Sequence, residues 1–203
     1  MDRKFEISRL YDRYAIDFDK EMGDYLIEHI LNDAELFLSN LSGKRILDLG
    51  SGPGRHSKYF LERGLEPVCV DISSNMLNLC KTRGLDVCKM DIENLGFKNN
   101  SFDGVWAYTS LLHSPKKHFI EIISSIFNIL KDKGIFYIGM REGNFEGWLR
   151  EDGRYGSEKR FMSLYNNEEL RDMLSMKFEI LYSSMVKARN VYLNYLCEKK
   201  IVN

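Results

Sequence analysis

The chain has 203 residues, 44% of them hydrophobic, which is enough for one domain with a sizeable core. Its 29 lysine and arginine residues balance 30 aspartate and glutamate residues, and the net charge of -1 does not indicate a surface for nucleic acid or anionic membranes. The first 20 residues are charged throughout, and no apolar run approaches the roughly 20 residues of a membrane-spanning helix, so we expect a cytoplasmic protein without a signal peptide. The four cysteines form no C-x-x-C pair, which is typical of buried, reduced thiols.

The first predicted element is a helix over residues 18–40, in which apolar residues recur at three- and four-residue steps. The apolar positions are Leu26, Ile27, Ile30, Leu31, Ala34 and Leu38. After this helix, strands and helices alternate. Strands are predicted at 45–50, 66–72, 85–92, 102–109 and 134–140, and helices at 55–64, 73–84 and 116–134. The alternation predicts an α/β fold, a doubly wound parallel sheet with helices on both faces.

The last part of the chain follows a different pattern. Residues 141–165 are rich in glycine, charge and aromatic side chains and show no clear period. A helix is predicted at 166–176, with a capping-box spacing at its start. Residues 178–186 and 191–200 alternate like two strands, and their short connection requires them to be antiparallel. The sheet is therefore expected to be mostly parallel with one reversed strand.

The segment "ILDLGSGPGRHS" places glycine at positions 50, 52 and 54, directly after a strand that we expect to be buried. Parallel α/β sheets bind ligands at the carboxyl ends of their strands, and glycine there lets a ligand lie against bare main chain. A dinucleotide is one candidate ligand, but its fingerprint G-x-G-x-x-G would need glycine where the chain has Arg55. A purely structural turn is the other alternative, and the rest of the chain decides between them.

Two later strands end in acidic residues. Asp71 comes about 20 residues after Gly50 and can accept hydrogen bonds from both hydroxyls of a ribose. Its alternative role is to cap the helix that follows. Asp91 can accept a hydrogen bond from the exocyclic amine of a base, and its alternative role is that of a plain turn aspartate. Ile72 and Ile92 can enclose a flat base between them. Together with the glycine loop, these residues indicate a nucleoside site.

The segments "LDLGSGPG", "VDIS", "MDIENLGF", "FDGVWAYTSLLH" and "LKDKGIFYIGM", in this order, resemble the class I S-adenosylmethionine-dependent methyltransferases. The resemblance is dense over residues 43–141 and extends to the preceding helix and the final hairpin. It implies a Rossmann-like, seven-stranded, mostly parallel sheet with the last strand antiparallel, an N-terminal capping helix, and S-adenosyl-L-methionine as cofactor. We expect one domain over 1–203, made of an N-terminal cap at 1–42, a cofactor-binding core at 43–140, a substrate lid at 141–165, and a helix and terminal strands at 166–203.

The resemblance also implies roles for individual residues at the cofactor. It places Gly50, Ser51 and Gly52 against the methionine part of the cofactor, and Asp48 at the loop or at the amino group. It places Asp71 at the ribose, Ile72 and Met76 beside the adenine, and Asp91 and Ile92 at the adenine amine and ring. Ala107 and Tyr108 are implied to lie beside the sulfonium. Methyl transfer of this kind depends largely on positioning and on exclusion of water.

Histidines supply the candidates for acid–base chemistry. His113 follows the fourth strand and is the predicted catalytic base, because imidazole has a suitable intrinsic pKa. The alternative is a structural histidine that caps the next helix. His113 and His118 are five positions apart and do not share a helical face, so no metal site is expected. His56 begins the helix after the glycine loop and is expected at an exposed position.

Two further segments are expected to border the ligands. The aromatic residues Tyr11, Tyr14 and Phe18 recur at helical steps. One explanation is ordinary helix packing. The other is a flap over the bound cofactor, in which Tyr14 contacts the cofactor. The lid at 141–165 carries arginines that can bind an acidic substrate group or form a solvated face, and we favour the solvated face. The aromatic and arginine residues of the lid are Phe145, Trp148, Tyr155, Phe161, Tyr165, Arg141, Arg150, Arg154 and Arg160.

The sequence therefore favours methyl transfer from S-adenosyl-L-methionine to an O, N or C atom of a small molecule, because the domain is near neutral and carries no evident RNA- or peptide-binding module. An RNA or protein methyltransferase of the same fold is the alternative and would need a basic surface beside the pocket. A nicotinamide dehydrogenase is disfavoured by Arg55 and by the terminal hairpin, and a non-catalytic nucleotide-binding protein by the intact glycine and acid positions. No nucleic-acid or membrane partner is expected.

Overall fold

The computed structural model describes residues 2–23, 29–150, 155 and 158–201. Its elements in chain order are α1 (Arg3–Arg13), α2 (Ala15–Met22), α3 (Leu31–Asn40), β1 (Arg45–Leu49), α4 (Arg55–Leu61), β2 (Glu66–Asp71), α5 (Ser74–Thr82), β3 (Asp86–Lys89), β4 (Phe102–Tyr108), α6 (Phe119–Ile129), β5 (Leu130–Arg141), β6 (Phe145–Arg150), β7 (Lys159–Leu164), α7 (Asn167–Ser175), β8 (Phe178–Lys187) and β9 (Val191–Lys199). Two 3₁₀ turns, Leu111–His113 and Lys116–His118, separate β4 from α6.

Seven strands form one sheet in the order β3-β2-β1-β4-β5-β9-β8. Neighbouring strands are parallel except at β5–β9 and β8–β9, so the last strand is the reversed one. Residues 188–190 alone join β8 to β9, and this is too short for the crossover that a parallel pair needs. The predicted seven-stranded, mostly parallel sheet with an antiparallel last strand is confirmed. The strand order reverses at β1 and β4, which is where such sheets open a ligand crevice.

β4 lies at the centre of the sheet and is buried along its whole length. Its side chains alternate between two hydrophobic clusters, as the two-residue period of a strand requires. Val105 and Ala107 pack in the cluster on the α6 side, and Trp106 and Tyr108 pack in the cluster on the α3 side. Trp106 also stacks on Tyr137 of β5, with ring centroids 3.8 Å apart. Packing on both faces therefore fixes the strand whose end borders the crevice.

The helix predicted over residues 18–40 is interrupted. α2 ends at Met22, and the next residue, Gly23, has a φ of +39°, a torsion that glycine tolerates and other residues rarely adopt. α3 then carries the apolar stripe into the core through Ala34 and Phe37. Leu26 and Ile27, which contributed to the predicted stripe, lie outside the described residues.

Residues 141–165 contain regular structure that the sequence pattern did not predict. β6 and β7 form an antiparallel hairpin, in which Phe145 lies opposite Leu164. β6 is exposed or half-buried along its whole length, so its sequence lacks the apolar–polar alternation that marks a strand with one buried face. Arg154 of the predicted lid lies outside the described residues.

Candidate active site

A crevice opens at the carboxyl ends of β1, β2, β3 and β4 and encloses about 220 Å³ accessible to the centres of water molecules. One water needs only about 10–15 Å³ by this measure, so the crevice is far larger than a packing defect. Residues of α1 and α2 line it from the N-terminal side, and residues of β7, β9 and the β8–β9 turn line it from the C-terminal side. Apolar and aromatic parts of its wall include Ile7, Tyr11, Phe18, Tyr155, Met162 and Tyr192.

The three glycines after β1 all have positive φ, at +74° for Gly50, +52° for Gly52 and +81° for Gly54. A Cβ on Gly50 would lie 2.2 Å from the Cβ of Ser110, so this glycine permits close packing of the chain on itself. A Cβ on Gly52 would meet only Phe18, at 3.6 Å. The bare main chain of Gly52 therefore borders open space in the crevice, where a ligand can lie against it.

Asp71 at the end of β2 lines the crevice and orients the glycine loop. Its Oδ2 accepts from the Gly52 amide at 2.9 Å, and its Oδ1 accepts from the Ser73 amide at 2.8 Å. The N-cap of α5 is Ser73, whose hydroxyl accepts from the Met76 amide at 3.1 Å. Burial raises the pKa of Asp71 to about 6. The carboxylate is thus held toward the crevice, and the capping role that was its alternative belongs to Ser73.

The predicted base-binding residues Ile72, Met76, Asp91 and Ile92 also line the crevice. The Oδ1 of Asp91 accepts from the Glu93 amide at 2.9 Å, which is the turn interaction of the alternative interpretation. Its Oδ2 forms a hydrogen bond with the Lys4 ammonium from α1. Asp91 therefore closes a turn and anchors the covering helix at the same rim of the crevice.

Two predicted cofactor residues lie behind the wall of the crevice. Asp48 on β1 is buried and accepts a hydrogen bond from the Ser57 hydroxyl at 2.7 Å, and burial raises its pKa to about 7. Ala107 is fully buried in the hydrophobic core, and the next residue, Tyr108, reaches the crevice instead. The alternation of β4 explains this, because consecutive side chains point to opposite faces.

His113, the predicted base, lies in the crevice wall with both ring nitrogens engaged. Nδ1 lies 2.9 Å from the Phe161 carbonyl, which only accepts, so Nδ1 carries the proton. Nε2 then accepts from the Tyr11 hydroxyl at 2.8 Å, and Tyr11 accepts from Arg160 at 2.8 Å. Burial and the nearby Arg160 cation lower the pKa of His113 to about 3. These contacts tie α1 and β7 to the turn after β4.

His56 occupies a place that sequence reasoning did not assign to it. It was expected at an exposed helix position, but it is half-buried and lines the crevice. Its Nδ1 accepts a hydrogen bond from the Trp106 indole at 3.0 Å, and its ring lies edge-on to Tyr108, with centroids 5.6 Å apart. Burial lowers the pKa of His56 to about 4. No local signal marks this role, because Trp106 lies 50 positions away.

The covering aromatic residues are Tyr11 and Phe18, which line the crevice on either side of Tyr14 in the sequence. Tyr14 joins α1 to α2 and contacts Tyr155 edge-on, with ring centroids 5.7 Å apart. Tyr155 itself lies in the crevice wall. The segment with the helical repeat thus lines the crevice, but through Tyr11 and Phe18 rather than through Tyr14.

The C-terminal part of the wall comes from strands and turns that are far apart in the sequence. The predicted lid contributes Arg141, Tyr155 and Arg160, whereas Arg150 is exposed at the end of β6. Residues 188–190 and Tyr192 complete this side and were not predicted. They belong to the terminal hairpin, which reaches the crevice because β9 pairs with β5.

Two further observations concern the part of the chain that the structure describes. None of its helices combines the length and apolar character that crossing a membrane would require. Nor do its histidine, cysteine, aspartate and glutamate side chains form a group of three placed to hold a metal ion.

Comparison with known proteins shows similarity in sequence and in fold. Residues 46–134 match a family model described as a methyltransferase domain. A phthiotriol/phenolphthiotriol dimycocerosates methyltransferase of Mycobacterium leprae is 34% identical over 116 residues, which are 53% of this chain and 42% of that protein. The matched part is thus less than half of this relative's length.

Solved structures match over much more of the chain. A methyltransferase of Methanosarcina mazei has a TM-score of 0.74 at 20% identity, covering 82% of this chain and 98% of its own. The 1,6-didemethyltoxoflavin-N1-methyltransferase of Burkholderia thailandensis, solved with 1,6-didemethyltoxoflavin and S-adenosylhomocysteine bound, has a TM-score of 0.72 at 19% identity, covering 99% of this chain and 92% of its own. Similarity at this level of identity establishes a shared fold.

Proposed function

Because residues 46–134 match a methyltransferase-domain model and the chain shares its fold with solved S-adenosylmethionine-dependent methyltransferases, we propose that it is a cytoplasmic enzyme of class I that transfers the methyl group of S-adenosyl-L-methionine to a small-molecule acceptor. The observation that carries this proposal is the juxtaposition of three groups at the ends of β1, β2 and β3. The bare main chain of Gly52 and the side chains of Asp71 and Asp91 all line one crevice. Such an arrangement suits a nucleoside whose ribose and base are bound by acids and whose tail lies against the loop.

The residues of the crevice fit this cofactor. A side chain at position 52 would project into the crevice, so glycine there keeps room for the methionine part. We propose that Gly50, Ser51 and Gly52 hold that part, Asp71 the ribose, Ile72, Met76, Asp91 and Ile92 the adenine, and Tyr108 the sulfonium. Asp48 anchors α4, the helix after the loop, through Ser57, and Tyr14 acts through Tyr155. Ala107 packs in the core on the opposite face of β4 from Tyr108.

S-adenosyl-L-methionine supplies an electrophilic methyl group when it is bound, and the chain supplies position and exclusion of water. Tyr11 and Phe18 contact each other with ring centroids 5.8 Å apart, and Phe18 stacks on Tyr155 at 6.5 Å. This aromatic cover keeps water from the reacting groups. The two hydrogen bonds of His113 favour a structural role over the predicted role as base, because they engage both ring nitrogens.

The covered crevice supports a small acceptor. α1, α2 and β7 enclose it, and the β6–β7 hairpin is the proposed substrate lid. A near-neutral chain offers little general attraction to a polyanion, which speaks against an RNA substrate. The Burkholderia thailandensis protein, which shares its fold over nearly the whole chain, is named a 1,6-didemethyltoxoflavin-N1-methyltransferase.

The first test is calorimetry of the purified chain with S-adenosylhomocysteine and, separately, with NAD. We expect binding of S-adenosylhomocysteine, and Asp71→Ala should weaken it by about 1–3 kcal/mol because the ribose donors lose their acceptor. Asp86→Ala is the matched control, since Asp86 is an exposed carboxylate on β3 outside the crevice. Binding of NAD in place of S-adenosylhomocysteine, or equal effects of the two substitutions, would contradict the proposal.

The acceptor is then sought by incubating the enzyme and S-adenosyl-L-methionine with a metabolite library and measuring S-adenosylhomocysteine release. We expect turnover with one chemical class of small molecule. Turnover with RNA or protein fractions alone would reassign the enzyme to the alternative substrate class.

A further inference from the structure

His56 differs from the other crevice histidine in how its ring nitrogens are used. The Trp106 indole lies 3.0 Å from Nδ1 of His56. An indole N–H can only donate, so Nδ1 presents its lone pair to Trp106 and the ring proton is on Nε2. His113 has the opposite tautomer, because its Nδ1 donates to the Phe161 carbonyl. The structure thus fixes the direction of each histidine's hydrogen bonds.

The Nε2–H of His56 is available to a ligand. His56 lines the crevice, and in the part of the chain that the structure describes Trp106 is the one group that forms a hydrogen bond with its ring. His56 as a residue is half-buried, and its Nε2 is not among the enclosed polar atoms without a partner. Nε2 therefore donates into the crevice, where water or a bound molecule supplies the acceptor.

His56 lies beside the proposed reaction centre. Its ring contacts Tyr108 at the end of β4, and Tyr108 contacts Tyr192 of β9, with centroids 6.1 Å apart. The proposed ribose and adenine contacts lie on the other side of the glycine loop, at the ends of β2 and β3. A molecule that reaches the sulfonium beside Tyr108 therefore lies close to the His56 ring, which contacts Tyr108 directly.

The chemistry of His56 is that of a neutral donor rather than a base. Its Nδ1 lone pair is engaged by Trp106, and its Nε2 carries the proton, so neither nitrogen takes a proton from a substrate. Burial lowers the pKa of His56 to about 4, which keeps the ring neutral at physiological pH. The charged residues that line the same crevice are Arg3, Lys4, Glu21, Arg55, Asp71, Asp91, Arg141, Arg160 and Arg189.

We propose that His56 binds the methyl acceptor by donating a hydrogen bond from Nε2, so that the acceptor presents an oxygen or nitrogen lone pair at that point. Trp106 is the positioning residue, because its indole fixes the tautomer that donates. The proposal rests on the proposed function, and it adds a requirement on the substrate: a hydrogen-bond-accepting heteroatom beside the atom that is methylated.

The tautomer is tested by long-range ¹H–¹⁵N correlation spectra of the full chain labelled with ¹⁵N-histidine. We expect His56 to show a protonated Nε2 and an unprotonated Nδ1 from about pH 5.5 to 8.5, and His113 to show the reverse pattern as an internal contrast. Trp106→Phe should give His56 a mixture of both tautomers. A protonated Nδ1 on His56 in the wild type, or titration of His56 within this range, would overturn the proposal whatever the enzyme binds.

The role in substrate binding is tested with His56→Phe, which removes the donor, and His56→Gln, which keeps an N–H near the position of Nε2. Calorimetry with S-adenosylhomocysteine should show affinities within about threefold of wild type for both variants, since the cofactor contacts lie elsewhere. A marked loss of S-adenosylhomocysteine affinity in both would place His56 in the cofactor site and overturn the proposal. Absence of binding in the wild type would instead refute the proposed function, and the spectra would be unaffected.

Specificity is measured with phenols, nitrogen heterocycles and carboxylates, each paired with an analogue in which one heteroatom group is replaced by hydrogen. For pairs that the wild type methylates, we expect it to prefer the heteroatom-bearing member by about tenfold or more, and His56→Phe to lose that preference while His56→Gln retains most of it. An undiminished preference in His56→Phe would overturn the proposal.

Discussion

Asp48 is a buried carboxyl group in the middle of the sheet, and its protonation couples folding to pH. Burial raises its pKa from 3.8 to about 7, with the Ser57 hydroxyl as the hydrogen-bonding partner. Between these two values the folded state holds a proton that the unfolded state has released, so the contribution of Asp48 to stability falls as pH rises. At pH 8 the folded state bears the full penalty of a buried charge beside Asp71.

Asp48→Asn should therefore raise the free energy of unfolding by about 1–3 kcal/mol at pH 8 and change it little at pH 4, because the amide keeps the acceptor for Ser57 without the charge. Urea unfolding at both pH values measures the difference. The lowered pKa values of His56 and His113 reduce stability in acid. Their effect is the same in the wild type and in Asp48→Asn, so it cancels when the two free energies of unfolding are compared. Asp132→Asn, at an exposed carboxyl, is the control. An equal gain at both pH values would contradict the coupling.

Among the secondary-structure elements, α1 is held at the rim of the crevice by hydrogen bonds and ion pairs rather than by a large apolar face. Asp12 accepts from the Ser73 hydroxyl at 2.6 Å and from the Asn75 amide at 2.9 Å, at the start of α5. Lys4 forms ion pairs with Asp91 and Glu93. Only Ile7 and Leu10 of α1 are buried. A cover held in this way can open without unfolding the sheet.

Asp12→Ala should release α1 from α5. We expect the amide protons of α1 to exchange about tenfold faster, while those of β4 and β5 keep their rates, because the lost contacts belong to the cover alone. Hydrogen exchange followed by mass spectrometry of peptides from each element gives both values. Asp17→Ala, an exposed acid in α2, is the matched control. Faster exchange in β4 and β5 as well would show that α1 is part of the global folding unit.

At the scale of the whole molecule, one buried carboxylate joins the N-terminal segment to the C-terminal half of the sheet. Asp33 on α3 accepts from the Tyr137 hydroxyl at 2.9 Å, the Ser184 hydroxyl at 3.0 Å and the Asn194 amide at 2.9 Å. These donors lie on β5, β8 and β9. The contact therefore fixes α3 across the antiparallel end of the sheet, far in sequence from its partners.

Asp33→Ala should lower the free energy of unfolding by about 2–4 kcal/mol, because it leaves buried donors without an acceptor. Asn32→Ala, one position earlier on the exposed face of the same helix, should change it by less than about 0.5 kcal/mol. Chemical denaturation at neutral pH checks both values. Similar effects of the two substitutions would mean that Asp33 is accessible to water in solution.

The sequence predicted those features whose signals are local. The order of strands and helices follows from runs of apolar residues and from glycines at helix ends, and the position of the crevice follows from a parallel sheet with glycine after its first strand. Asp71 and Asp91 were identifiable because each ends a strand, and strand ends in such a sheet meet at one edge. The β6–β7 hairpin escaped prediction because neither face of β6 is fully buried, so its residues carry no alternating pattern.

The fold class, the glycine loop and the acids beside it can be read from the amino-acid sequence alone. The way in which side chains of distant segments face one another depends on the tertiary structure: Tyr11 reaches His113 across 102 positions, and Trp106 orients His56 across 50. This division arises because periodicity records whether a residue is buried, whereas strand order and register set the partner of each hydrogen bond. Trp106 lies on β4, which pairs directly with β1, the strand that leads into the loop before His56.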